Sequence, residues 1–192
     1  MLFISAFLFA ISTNLDSLIV GLSYGFKKIS ISFHKNMIIS IIALIGTGIS
    51  IYLGKAIIYF IPDNLPKILG ALILIIIGLY PIIKPLIYKV KNANIYSNPE
   101  KYDEDKSGFL DTKESIFLGL ALTANNFAFG IGIGLVGMNA LIILILTFGF
   151  SLGFLHIGQL AGKKYSLKRL EKYAGIISGV IIILLGIYEI IA

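Results

Sequence analysis

The chain has no cysteine among its 192 residues. That removes disulfides, thiolate metal sites and cysteine nucleophiles from consideration. Charge is scarce too. Asp, Glu, Lys and Arg make up 14% of the residues against 57% hydrophobic ones, more apolar sequence than a water-soluble domain of this size needs. No glycine-rich phosphate loop is present, so nucleotide-driven chemistry is not expected. The apolar stretches hold no HExxH pair, no Ser–His pair and no two neighbouring carboxylates, which argues against an enzyme. The first apolar stretch has no basic residue before it and no small-residue cleavage pattern after it, so a cleaved signal peptide is not expected.

What fills the chain instead is six apolar runs, each near the length that crosses a bilayer core. They cover Leu2 to Tyr24, Asn36 to Ile58, Lys67 to Leu86, Ser115 to Met138, Ala140 to Gly162 and Tyr173 to Ala192. The expected fold is therefore an all-α membrane protein of six transmembrane helices with the lipid bilayer as its partner; a very greasy soluble bundle is the alternative. The formal net charge of +6 reads as a topology signal and not as a nucleic-acid surface. Of the 16 Lys and Arg, 14 lie in three stretches: the loop after span 1, the central connection and the loop after span 5. Only Lys55 and Lys67 fall on the other side. The positive-inside rule places those three loops in the cytoplasm and both termini outside.

Three spans per half is an odd number, so the second half would enter the membrane inverted. The sequence carries traces of such a repeat. Asp16, Gly21 and Gly25 correspond to Asn125, Gly130 and Gly134 at a shift of 109 residues. Gly54-Lys55 corresponds to Gly162-Lys163, and Gly78-Leu79-Tyr80 to Gly186-Ile187-Tyr188, at a shift of 108. The expected organisation is a first repeat over residues 1–88, a cytoplasmic linker over 89–113 and a second repeat over 114–192. Inverted repeats are typical of secondary transporters, whose substrate sites lie near the midplane between the halves.

Asp16 is the one acidic residue deep inside an apolar stretch. An ionisable group there is costly and marks an ion or substrate path. Ser12, Thr13 and Asn14 surround it, and Thr123 and Asn126 surround Asn125. The candidate ligands are Asp16, Asn14, Asn125 and Asn126, an oxygen set suited to hard cations such as Ca²⁺, Mn²⁺ or Mg²⁺. Asn14 and Asp16 are two apart, so joint binding of one ion calls for a locally irregular helix. The bland reading is that the Asn, Ser and Thr residues join helices while Asp16 snorkels or is protonated. Gly21 with Gly25 and Gly130 with Gly134 form GxxxG patterns, and close packing of spans 1 and 4 through them would bring Asp16 to Asn125. His156 and Gln159, three apart, read as a packing pair facing one interior, and Glu189 as a residue at an outer mouth.

The central connection holds a second candidate site. Residues 103–114 fit the twelve-residue EF-hand calcium loop. Asp103, Asp105 and Ser107 take positions 1, 3 and 5. Gly108 takes the turning position 6, Phe109 offers its carbonyl at 7, Asp111 is position 9 and Glu114 is the bidentate ligand at 12. The Asn98-Pro99 pair before it does not look like an entering helix, so a single EF-hand-like loop for Ca²⁺ is expected, with a solvated acidic linker as the alternative. Glu114 also opens span 4, which would let cytoplasmic Ca²⁺ bias the membrane site.

Two motifs carry a family resemblance. Asn14-Leu15-Asp16-Ser17-Leu18-Ile19-Val20-Gly21 resembles the first-helix motif of the manganese efflux pumps, and Leu122-Thr123-Ala124-Asn125-Asn126-Phe127-Ala128-Phe129-Gly130 its fourth-helix counterpart. The central loop is similar to the YtaF-type sporulation membrane protein branch. The resemblance covers essentially the whole chain and implies a multi-pass protein of a bacterial cell membrane that exports a divalent cation, Mn²⁺ or Ca²⁺. In that family the fourth-helix motif typically carries Asp where this chain has Asn125, so the implied site holds one carboxylate, not two. The functional alternatives are a calcium-sensing sporulation membrane protein without transport activity and an exporter of small solutes.

Overall fold

The structure, a computed structural model, describes residues 2–62, 65–87, 107–164 and 168–191. They form six helices: α1 (Leu2–Phe26), α2 (Phe33–Ile58), α3 (Pro66–Ile87), α4 (Thr112–Val136), α5 (Ala140–Gly162) and α6 (Lys168–Ile191). No strand occurs among the described residues; Ser30 and Phe109 form an isolated parallel bridge. The helices occupy the six apolar runs, extending a few residues past them where the first turn is polar, as at Phe33–Lys35 of α2. α1, α2, α3 and α5 are long and apolar enough to cross a membrane, and α4 joins them if its two parts form one span. The apolar part of α6, Gly175–Ile191, is shorter.

Local chemistry sets the helix ends. The last turn of α1 closes with Ile29 N–H on Tyr24 O and Lys28 N–H on Gly25 O. This is a Schellman pattern, with Lys28 at φ 60° where glycine is usual. α4 begins in a reciprocal capping box: Asp111 Oδ1 accepts from Glu114 N–H at 2.7 Å, and Glu114 Oε2 accepts from Asp111 N–H at 2.9 Å. It ends at Gly137 in the left-handed region, φ 81°. Asn139 then caps α5, its Oδ1 accepting from the N–H groups of Leu141 and Ile142. One uncharged turn therefore stops α4 and starts α5.

Helix packing follows a pattern. α1 lies chiefly on α5, α2 on α4 and α3 on α6; α3 also meets α4, α1 meets α6, α2 meets α5, and α1 barely touches α4. Exchanging α1 with α4, α2 with α5 and α3 with α6 leaves this list unchanged. Glycines make the closest approaches. A Cβ on Gly21 would stand 2.3 Å from Leu155 O, and one on Gly25 2.2 Å from Gln159 O, so α1 and α5 run parallel in near backbone contact. Gly134 and Gly54 join α4 to α2 in the same way.

Two buried apolar clusters stand at different heights in this bundle. One gathers Phe9, Ile51, Phe129, Ile133 and Ile143 with Leu74, Ile182 and Leu185. The other gathers Val20, Tyr24, Ile39, Leu122 and Leu155 with Ile29, Ile31 and Leu110 of the loops.

Candidate functional site

A polar layer lies between these clusters. On α1, Ser12 to Ser17 fall between Phe9 and Val20; on α2, Ser40 and Thr47 between Ile39 and Ile51; on α4, Thr123 to Asn126 between Leu122 and Phe129; on α5, Thr147 and Ser151 between Ile143 and Leu155. Four helices each bring polar residues to the height at which their apolar neighbours close off both ends.

Asp16 belongs to this layer and is only 8% exposed. Its Oδ1 accepts from Ser17 N–H at 2.7 Å and from Ser17 Oγ at 3.5 Å. The first of these bonds competes with the ladder bond to the Thr13 carbonyl. A carboxylate at the centre of a membrane helix costs roughly 2.5–3.5 kcal/mol on insertion scales, so its retention calls for a function. Asn14 is buried, its Nδ2 donating to Ala10 O at 2.7 Å. Ser12 Oγ donates to Leu8 O and Thr13 Oγ1 to Phe9 O. These bonds to the preceding turn accompany a continuous α1, so the irregularity expected there is absent. α4 bends instead, by 47° between Thr112–Ala124 and Asn126–Val136. Asn126 is buried, whereas the side chain of Asn125 lies outside the described ones.

The GxxxG patches do not join α1 to α4. Those of α1 seat on Leu155 to Gly162 of α5, and those of α4 on Ser50 to Gly54 of α2. The reason is geometric. The Ser30–Phe109 bridge puts the end of α1 beside the start of α4, so Gly21 and Gly25 sit at one end of the bundle and Gly130 and Gly134 at the other. His156 is exposed while Gln159 is buried, so the two do not share an interior. Gln159 Nε2 donates to Ile29 O at 3.3 Å; with the amide turned over, it pairs with both the N–H and the C=O of Ile31. Glu189, near the end of α6, is also buried.

Sequence reasoning passed over Thr147 and Ser151. Both are buried, and neither hydroxyl has a hydrogen-bond partner among the described residues. Leaving such a group unpaired costs about 1–3 kcal/mol. The available signal was their spacing: four apart on α5, on the face that carries Leu155 and Gly158.

Of the calcium loop, Asp103 and Asp105 lie outside the described residues. Gly108 turns in the left-handed region at φ 75°, the conformation required of position 6. Ser107 Oγ donates to Phe109 O at 2.8 Å, so two candidate ligand oxygens adjoin. Asp111 and Glu114 are engaged in the capping box. The loop is strapped to the α1–α2 connection: Ser30 N–H donates to Gly108 O and Leu110 N–H to Ser30 O, at 2.8 and 3.0 Å. Lys35 Nζ also donates to Thr112 Oγ1. Among the described residues, no three His, Asp or Glu side chains are grouped so as to hold a metal ion. A cation at Asp16 would thus rely on neutral oxygens.

Comparison with known proteins fits this buried layer in an apolar bundle. Residues 1–82 and 90–190 match the family described as "Putative manganese efflux pump". The chain belongs to that family. It is 30% identical over 208 residues to the "Probable sporulation protein YtaF" of Bacillus subtilis (strain 168), covering 97% of this chain and 99% of the relative. No solved structure matches it. It is a multi-pass membrane protein of a transporter family, not of an enzyme family.

Proposed function

We propose that the protein is a secondary exporter of a divalent cation, Mn²⁺ or Ca²⁺, built from six transmembrane helices in two inverted repeats. The observation that carries this reading is the placement of Asp16, the sole carboxylate among the described residues of a polar layer closed above and below by apolar clusters. A transported ion needs such an occluded layer, and alternate opening of the two clusters would expose it to either side in turn. Asp16 supplies the charge, and Asn125 and Asn126 supply neutral oxygens; Asn14, two residues from Asp16 on a continuous α1, joins them only where α1 unwinds around the ion. The packing list that survives exchange of the halves supports the inverted repeat, as does the parallel course of α1 with α5. The repeats span residues 1–88 and 114–192, joined by the cytoplasmic linker 89–113. With no nucleotide motif, the proton gradient or the membrane potential drives export.

In this reading cytoplasmic Ca²⁺ binds the loop of residues 103–114 and acts on α4 through Glu114. The strap from Ser30 and Leu110 through Ile29 and Ile31 to Gln159 extends its reach to α1 and α5. One observation favours a second reading, a calcium-sensing protein of sporulation without transport: the identity to a relative named for sporulation. The test is a flux panel in liposomes with Mn²⁺, Ca²⁺ and Mg²⁺. The exporter reading expects protein-dependent flux of at least one ion, and its loss in Asp16→Asn with membrane insertion intact. Absence of flux with all three, or wild-type flux in Asp16→Asn, would sink it.

A further inference from the structure

We propose that the lysine pairs after α1 and α5 form one binding site for the headgroup of an anionic phospholipid. Lys27 and Lys28 follow α1, and Lys163 and Lys164 follow α5. Both helices are long and apolar enough to cross a membrane, over Phe3–Phe26 and Ala140–Gly162. All four lysines therefore stand one or two residues beyond a span, at the depth where long basic side chains reach lipid headgroups.

The fold brings the two pairs together. α1 and α5 run parallel, and a Cβ on Gly25 would lie 3.1 Å from Gly162 Cα. Lys27 and Lys28 thus leave the bundle at the corner where Lys163 and Lys164 leave it. All four are exposed. Lys28, Lys163 and Lys164 form no ion pair among the described residues. Each helix C-terminus presents about half a negative charge, so four lysines leave the corner strongly positive. Charge that only sets orientation needs no such convergence, since loop lysines count wherever they stand. Basic pockets between membrane helices bind phosphate-bearing headgroups. Beside the charge lies a place for an acyl chain. Ile157, Leu160 and Lys164 recur three and four residues apart on one stripe of α5. Ile157 and Leu160 are each more than half exposed, as is Phe26 at the end of α1. A free phosphate gains nothing from this apolar stripe, whereas a phospholipid covers it.

The test uses the purified full chain in neutral detergent, titrated with phosphatidylglycerol or phosphatidylcholine. Native mass spectrometry reads bound lipid, and melting curves read stability. Phosphatidylglycerol should bind and raise the melting temperature more than phosphatidylcholine does. Lys27→Gln with Lys28→Gln, and Lys163→Gln with Lys164→Gln, should each weaken its binding by about fivefold per lysine removed. Lys163→Arg with Lys164→Arg keeps the charge and should bind as wild type does. Lys55→Gln with Lys67→Gln removes the same charge elsewhere and should leave binding unchanged. An equal loss in that control would reduce the effect to net charge and overturn the site. Undiminished binding in either glutamine pair would overturn it too, as would lost binding in the arginine pair. Equal stabilisation by inorganic phosphate would make the ligand a free anion and overturn the lipid.

Discussion

A hydrogen in place of a methyl group decides how near α1 comes to α5. At Gly21 a Cβ would meet Leu155 O at 2.3 Å, a backbone atom that cannot swing away, whereas at Gly149 on the outer face of α5 a Cβ meets nothing within 4 Å. Both substitutions to alanine gain the same helix propensity, so their difference isolates packing. Gly21→Ala should destabilise by about 1–3 kcal/mol and Gly149→Ala should not, as read from melting curves in detergent. A similar drop at Gly149 would mean that this face is covered. Asp16 and Gly21 were legible in the sequence because an acid or a GxxxG pattern stands out in an apolar run. Ser151 was not. A serine on a membrane helix usually bonds its own backbone, and only the rotamer in the folded chain reveals that it does not.

At the scale of elements, the start of α4 combines two roles in one residue. Glu114 closes the capping box with Asp111, and in the calcium reading it is also the bidentate ligand. Glutamine serves as well as glutamate in a capping box, but it loses the carboxylate. Glu114→Gln should therefore leave the melting temperature in chelator nearly unchanged and abolish its rise on adding Ca²⁺, a rise expected from binding to the folded state. A variant that still gains stability with Ca²⁺ would remove Glu114 from the ligand set. Asp111→Ala, by contrast, should lower stability by about 1 kcal/mol in chelator through the lost cap. The turn at Gly108 could be read from the loop pattern. The strap to Ser30 could not, since pairing between backbone groups 78 residues or more apart leaves no mark in side-chain type.

For the whole molecule, orientation depends on charge and folding depends on packing. The helices themselves were readable from six apolar runs, but which helix meets which was not, because GxxxG states a close approach without naming the partner. Orientation is the reverse case: packing within the bundle is the same whichever way it faces, and only the uneven Lys and Arg distinguish the two sides. Lys163 follows α5 and is exposed, in a loop assigned to the cytoplasm; Tyr59 follows α2 and is exposed at the opposite end. Since the chain has no cysteine of its own, single substitutions test this directly. In intact cells a membrane-impermeant maleimide should label Tyr59→Cys and leave Lys163→Cys unlabelled until the membrane is permeabilised. The opposite pattern would invert the protein. Asp16 would keep its place between the apolar clusters, but the loop of residues 103–114 would face outward and could no longer report cytoplasmic Ca²⁺.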